Sequence, residues 1–374
     1  MRFLLIGPLP EPINGCSYAN AVLLRRAREE GHDFRAIDTS TPTISGKQGA
    51  RFSLRKALAF LGTYRHLPRV LRADAVYLTP GQTFFGLMKY APFILLARWS
   101  RRPYVIHLHG NHLGRHYAEL PGLRKRLFHG CVSHAAAGIV LSESLRGNFK
   151  NLLPGERVFV VENFAGDDLF TDTAAAGKPT DRLEILYLSN LMREKGILDL
   201  LDALAVLKRE KVDFRARIAG HIEKGLEAEV RKRLDALMPE AVYVGAVAGD
   251  RKRRLLAGAN VFALPTYYAM EGQPISLLEG LATGNIIVTT AHAGIPDIVD
   301  ASHGHVIEAR NPAALAATLR KISAHLPDEV DRFSRHNRDY AAARFTERSF
   351  AGRVVAVLRQ AAERPAGETS RRTA

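Results

Sequence analysis

Short apolar runs alternate with longer stretches of helical periodicity, and the alternation occurs twice along the chain. In the first half, residues 3–7, 34–38, 75–78, 104–109 and 138–141 read as strands, with a first helix over 17–30. A second series follows at 183–189, 215–219, 242–244, 261–264 and 286–289. Strands this short and mostly apolar suit a parallel sheet buried on both faces, because each crossover lays a helix over the sheet. The class is therefore α/β, and two series in 374 residues imply two domains, each with its own core. Residues 172–181 (DTAAAGKPTD) lack apolar periodicity and read as the linker. Residues 346–362 read as a closing helix, and 363–374 as a polar tail.

Several function classes fall away. Neither half carries a G-x-G-x-x-G turn after its first strand, which removes the main support for a dinucleotide-dependent dehydrogenase. Cys16 and Cys131 are the only cysteines, too few for a disulfide framework or a cysteine-based zinc site, so a reduced, cytoplasmic setting is expected. The opening MRFLLIGPLP is too short for a signal peptide. The most apolar stretch, 84–97, is broken by Lys89 and Pro92 and falls short of the roughly 18–20 residues of a membrane span. A net charge of +15 favours polyanionic partners. Nucleic acid is the weaker choice, since no zinc-finger spacing, RNA-recognition signature or basic zipper is present.

The chemistry concentrates in residues 261–299, VFALPTYYAMEGQPISLLEGLATGNIIVTTAHAGIPDIV, which read strand, loop, helix, strand, loop. Pro274 sits where a helix begins and Gly272 just before it, so backbone N–H groups there can receive an anion. Glu271 stands on the preceding loop and Glu279 about one and a half turns into the helix, near the surface. A carboxylate suits a ribose because it accepts charge-assisted hydrogen bonds from both the 2′ and 3′ hydroxyls. Spacing alone does not separate this from two solvated glutamates.

The pair Glu271 and Glu279, followed by GLATG and HAGIPDIV, resembles the donor-site signature of retaining GT-B glycosyltransferases of family 4, the glycosyl transferases group 1. The resemblance extends from the Gly15 loop through VIHLHG and the Lys195-Gly196 pair to the closing helix. It implies two Rossmann-like domains facing each other across a cleft. Residues 1–171 would form the acceptor-binding domain, completed by the closing helix, and residues 182–345 the donor-binding domain. It further implies that Glu271 contacts the donor sugar and Glu279 holds the ribose. The backbone of Gly272, Gln273, Pro274, Ile275, Ser276 and Leu277 would bind sugar hydroxyls and phosphate. Lys195 would neutralise the diphosphate, His109 would lie against the donor sugar, Gly15 would face the phosphate, and Asn163 would line the cleft wall. The substrate would be a UDP- or GDP-linked sugar, with no cofactor and no metal. The acceptor would be a polysaccharide or a lipid-linked glycan.

Two departures from that pattern bear on the diphosphate. Ser189-Asn190 stands where the family has a Gly-Arg pair, which removes one phosphate-binding guanidinium, and Arg193 is the candidate to replace it. Cys16 replaces the usual second glycine of the loop 12–17 (PINGCS). These departures keep open a degenerate binding or scaffold subunit of a polysaccharide assembly complex.

Between residues 51 and 72, Arg51, Arg55, Lys56, Arg65, Arg69 and Arg72 interleave with Leu, Phe and Tyr. Arg98, Arg101, Arg102, Arg124, Lys125 and Arg126 enlarge the basic content of the same domain. This is the pattern of a segment lying on an anionic membrane, so peripheral attachment to the inner face of the membrane is expected.

Overall fold

A computed structural model describes residues 1–40, 60–170 and 177–363. Arg51, Arg55, Lys56, residues 172–176 of the expected linker and the tail from 364 onward lie outside the described residues. The chain divides into two units, one comprising residues 1–163 and 347–374, the other Phe164–Thr346.

The first unit is built on a parallel sheet of β1 (Arg2–Gly7), β2 (Asp33–Asp38), β3 (Ala75–Leu78), β4 (Tyr104–His107), β5 (Ala137–Val140) and β6 (Val158–Val160), in the order β2-β1-β3-β4-β5-β6. Every residue of β3, β4 and β5 is buried, which explains why these strands are apolar without alternation. The connection from β1 to β2 is α1 (Gly15–Glu29), which starts with a reciprocal cap in which Asn14 and Ser17 exchange side-chain and backbone hydrogen bonds of 3.0 and 2.9 Å.

Further α-helices of this unit among the described residues include α2 (Phe84–Met88), α3 (Ala91–Trp99), α4 (Leu113–Glu119), α5 (Gly122–Val132) and the closing α12 (Glu347–Glu363). From β1 the chain steps one way along the sheet, and from β3 to β4 and β5 it steps the other way. Right-handed crossovers therefore put α1 on one face and α3 and α5 on the opposite face. The closing helix packs against α1 and onto β3 and β4. Glu347, almost wholly buried, accepts hydrogen bonds from Arg25 (2.6 Å) and from two nitrogens of Arg26 (2.9 and 2.7 Å). Arg353 pairs with the buried Glu162 at 3.0 Å. These contacts tie the far end of the chain to the first unit.

The second unit carries β7 (Leu183–Leu188), β8 (Phe214–Ala219), β9 (Ala241–Gly245), β10 (Val261–Leu264), β11 (Ile286–Thr290) and β12 (Gly304–Ile307), all parallel, in the order β12-β11-β10-β7-β8-β9. Its helices are α6 (Ile197–Arg209), α7 (Glu227–Ala236), α8 (Gly249–Gly258), α9 (Ile275–Ala282), α10 (Pro312–Ala324) and α11 (Leu326–Arg344). One core of aliphatic and aromatic side chains runs through the unit, from Leu169 and Leu183 to Phe333 and Phe345. Gly280 lets α9 lie close on β10, since a Cβ there would stand 2.8 Å from the Phe262 ring.

The start of the second unit differs from the expected boundary at 172–181. Residues 164–170 already belong to it, because Ala165 N–H donates to the Phe345 carbonyl (2.9 Å) and Leu169 lies in its core. The sequence reading also missed β6 and β12, which are three and four residues long.

Candidate active site at the switch point of the second sheet

In an open parallel sheet, loops leaving neighbouring strands in opposite directions open a crevice at the carboxyl ends of those strands. In the second unit this happens between β7, whose chain continues toward β8, and β10, whose chain continues toward β11. The two loops that diverge there run from Ser189 to Gly196 and from Pro265 to Pro274. They carry Lys195 and Glu271.

The structure brings these two side chains together. Lys195 Nζ donates to Glu271 Oε2 at 2.5 Å and stands 5.1 Å from the centre of the Tyr268 ring. Thr266, fully buried, donates its hydroxyl to the same carboxylate oxygen at 3.2 Å. The backbone fixes this arrangement from both loops. Tyr267 N–H donates to the Glu194 carbonyl (2.8 Å), and the buried Tyr187 hydroxyl donates to the carbonyl of Asn190 (3.0 Å). Gly196 adopts a left-handed φ of +76°, and a Cβ there would come within 2.2 Å of the Pro265 carbonyl oxygen. The glycine after Lys195 is thus required by the close approach of the two loops.

Pro274 is the N-cap of α9 rather than its first residue, with extended φ and ψ of −66° and 119°. The helix begins at Ile275, and the leading N–H groups of a helix have no carbonyl ahead of them. Gly272, Gln273 and Pro274 are buried, and Ile275 and Ser276 are partly exposed at the helix start. The loop after β11 holds this segment in place through Gly294 N–H to the Gly272 carbonyl (3.1 Å) and His292 Nε2 to the Tyr268 carbonyl (2.7 Å). Leu277 lies in the core and anchors the first turn.

Glu279 departs from the expected near-surface position: it is 3% exposed. Lys252 of α8 donates to its Oε1 at 2.6 Å. Burial raises the Glu279 carboxyl above its ordinary value, Lys252 opposes that rise, and the nearby Asp168 adds to it. Sequence reasoning missed Lys252, Thr266 and Tyr268. The last two lie inside the motif segment, whereas Lys252 lies 27 residues from its partner and only the packing of α8 beside α9 reveals it.

Arg193, expected to reach the same group as Lys195, points elsewhere and pairs with Glu229 of α7 at 2.9 Å on an exposed surface. Asn190 remains on the loop after β7, with its carbonyl engaged by Tyr187.

The first sheet has its own switch point, between β1 and β3. Gly15, expected on a glycine-rich loop, is the first residue of α1, with open space where a Cβ would be. Cys16 follows it inside the helix, so its backbone needs no positive φ, and burial pushes its thiol up to about 12. His109 lies two residues beyond β4, rather than ending the strand. Its ring stacks on that of the fully buried His107 at 4.2 Å, and His107 Nδ1 meets the Tyr77 hydroxyl at 2.6 Å. The His109 residue keeps partial exposure, yet both ring nitrogens are buried and meet no protein partner among the described residues. Protonation occurs at those nitrogens, and their burial pushes the ring down to about 4. Asn163, where the chain leaves the first unit for the second, is buried.

The sequence and the fold have counterparts among known proteins. The family model for glycosyl transferases group 1 matches residues 170–339. The amylovoran biosynthesis glycosyltransferase AmsK of Erwinia amylovora is 31% identical over 155 residues, 40% of this chain and 38% of AmsK. A Salmonella typhimurium protein, provisionally named colanic acid biosynthesis glycosyltransferase WcaL, is 28% identical over 228 residues, 58% of this chain and 55% of that protein. The aligned part of the chain thus spans about half or less of these relatives' own length. Among solved structures, a glycosyltransferase from Rickettsia africae superposes with a TM-score of 0.76 at 14% identity, covering 97% of this chain and 100% of the other. Anabaena HepE in complex with UDP superposes at 0.73 and 15% identity, covering 96% and 100%. Two parallel six-stranded sheets and the match over the switch-point segment have one conclusion: the chain carries a glycosyl transferases group 1 domain and has the GT-B glycosyltransferase fold.

Proposed function

We propose that the chain transfers a sugar from a nucleotide-sugar donor to a polysaccharide or lipid-linked glycan acceptor at an anionic membrane surface, with retention and without a metal. The observation that carries this reading is the convergence of Lys195, Glu271 and the start of α9 at the switch point between β7 and β10. Transfer breaks the bond between the anomeric carbon and the diphosphate, so negative charge grows on the leaving group and must be stabilised. The Lys195 ammonium and the N–H groups that open α9 supply that stabilisation. In the free protein Lys195 is engaged by Glu271. A diphosphate takes over the ammonium, and the released carboxylate then accepts hydrogen bonds from sugar hydroxyls. Glu279 exchanges Lys252 for the ribose hydroxyls in the same way. His109 offers two unpaired ring nitrogens to a sugar hydroxyl, as a neutral imidazole.

HepE, a structural neighbour, was solved with UDP and with UDP-glucose, so UDP-linked sugars are the first donors to test and GDP-linked sugars the next. A native-state ligand raises thermal stability by mass action. The donor reading predicts that UDP or GDP raises Tm and that slow hydrolysis of a matching nucleotide-sugar is detectable. It also predicts that Lys195→Ala removes both effects. Absence of any Tm change with UDP, GDP and ADP at millimolar concentration overturns the reading.

A further inference from the structure

Helices α3 and α5 lie side by side on one face of the first sheet, and the Arg98 guanidinium near the end of α3 donates to the Gly130 carbonyl near the end of α5 at 3.1 Å. Each helix buries one stripe, Phe93, Ile94 and Ala97 on α3 and Phe128, Cys131 and Val132 on α5. The stripes turned away from the sheet are also apolar. Leu95 and Trp99, one turn apart, are 56% and 81% exposed, and Leu123 and Leu127, also one turn apart, are 70% and 49% exposed. Large apolar residues grouped on a surface mark an interaction site, unlike scattered ones.

The charges around them specify the partner. Arg98, Arg101, Arg124 and Arg126 are exposed on the same two helices and the turn after α3. Among the described residues none of the four forms a salt bridge. From Phe84 to His134, eight lysines and arginines face Glu119 as the single acidic residue. Exposed Trp and Leu interleaved with arginines match an anionic bilayer interface, where the indole sits at headgroup depth and the guanidiniums meet lipid phosphates. An acidic protein surface would use the arginines but leave the four apolar side chains without a counterpart.

We propose that the outer stripes of α3 and α5 seat the first unit on an anionic lipid bilayer, with Trp99, Leu95, Leu123 and Leu127 entering the interface and the arginines holding the headgroups. The proposal builds on the membrane-proximal acceptor reading above. It moves the contact from the segment 51–72 to these two helices, and its test does not depend on sugar transfer. No helix among the described residues is long and apolar enough to cross a membrane, so the contact is interfacial.

Trp99 is the only tryptophan in the chain, so its emission reports this surface alone. The full chain is mixed with vesicles of phosphatidylglycerol and phosphatidylethanolamine, and separately with phosphatidylcholine vesicles. The expected result is a blue shift of Trp99 emission and co-flotation with the anionic vesicles only, both weakened by high salt. Replacing Leu123 and Leu127 with Ser, or Arg101 and Arg124 with Glu, is expected to lower vesicle partitioning about tenfold while Tm is unchanged. Unchanged emission with anionic vesicles at low salt overturns the proposal. So does flotation without a blue shift, which places the contact on another surface. A blue shift that grows with protein concentration without lipid, together with a dimer in sedimentation, assigns the stripes to a second copy of the chain and also overturns it. Loss of nucleotide binding with the lipid response intact would sink the transferase reading and leave this one standing.

Discussion

Lys252 donates a 2.6 Å hydrogen bond to Glu279, so the carboxylate expected to hold a ribose is buried against an ammonium supplied by the neighbouring helix. A carboxyl raised by burial holds its proton more tightly in the folded chain than in the unfolded one. Its contribution to stability is therefore fully present below the ordinary value of 4.5 and is lost as pH rises through the raised folded value. Glu279→Gln removes that dependence. The variant should gain stability relative to the parent as pH rises above 4.5, measured by urea unfolding at successive pH values. A stability difference that stays flat with pH contradicts the burial argument.

The Lys195–Glu271 pair should be energetically coupled. Its side chains are 14% and 8% exposed, so removing one partner strands the other in a poorly hydrated place. Lys195→Met and Glu271→Gln are each expected to cost about 1–3 kcal/mol, and the double variant less than their sum by about 1–2 kcal/mol. Chemical denaturation of the four proteins checks this, and additivity would show that the pair is a contact without a coupling energy.

Glu347 is the acceptor that joins α12 to α1, and Glu347→Ala leaves two guanidiniums without it. The cost should be about 1–3 kcal/mol, against less than about 0.5 kcal/mol for Arg2→Ala, whose side chain is 56% exposed. Parallel urea titrations separate the two.

His109 is pushed from 6.5 down to about 4, so the folded chain refuses a proton that the unfolded chain accepts within that window. The resulting stability is present above 6.5 and is lost as pH falls toward 4. His109→Gln should flatten the acid limb of the stability profile by about 1–3 kcal/mol. In NMR the His109 ring should show no titration between pH 5 and 8, and an inflection near 6.5 would contradict its burial.

Gly196→Ala tests the closeness of the two loops. Its left-handed φ and a Cβ 2.2 Å from the Pro265 carbonyl should cost at least about 2 kcal/mol and displace Lys195. A variant with parent-like stability would mean that the loops separate freely.

The α/β class, the two series of strands and the segment 261–299 were legible in the sequence because each rests on local order. Parallel strands buried on both faces tend toward continuous apolar runs, and β10, read as 261–264, is observed at Val261–Leu264. Gly272 and Pro274, placed just ahead of an apolar helical run, mark the start of α9. The strand β6 escaped because three residues make too short a run, and β12 because it is a partly exposed edge strand that includes Gly304 and His305 and so lacks the unbroken apolar run of β10. The burial of Glu279, its pairing with Lys252, the turning of Arg193 toward Glu229 and the meeting of Lys195 with Glu271 were decided only by tertiary structure. Each depends on which strands lie side by side. The order β12-β11-β10-β7-β8-β9 puts the loops after β7 and β10 together although 76 residues separate Lys195 from Glu271, and no local pattern encodes that neighbourhood.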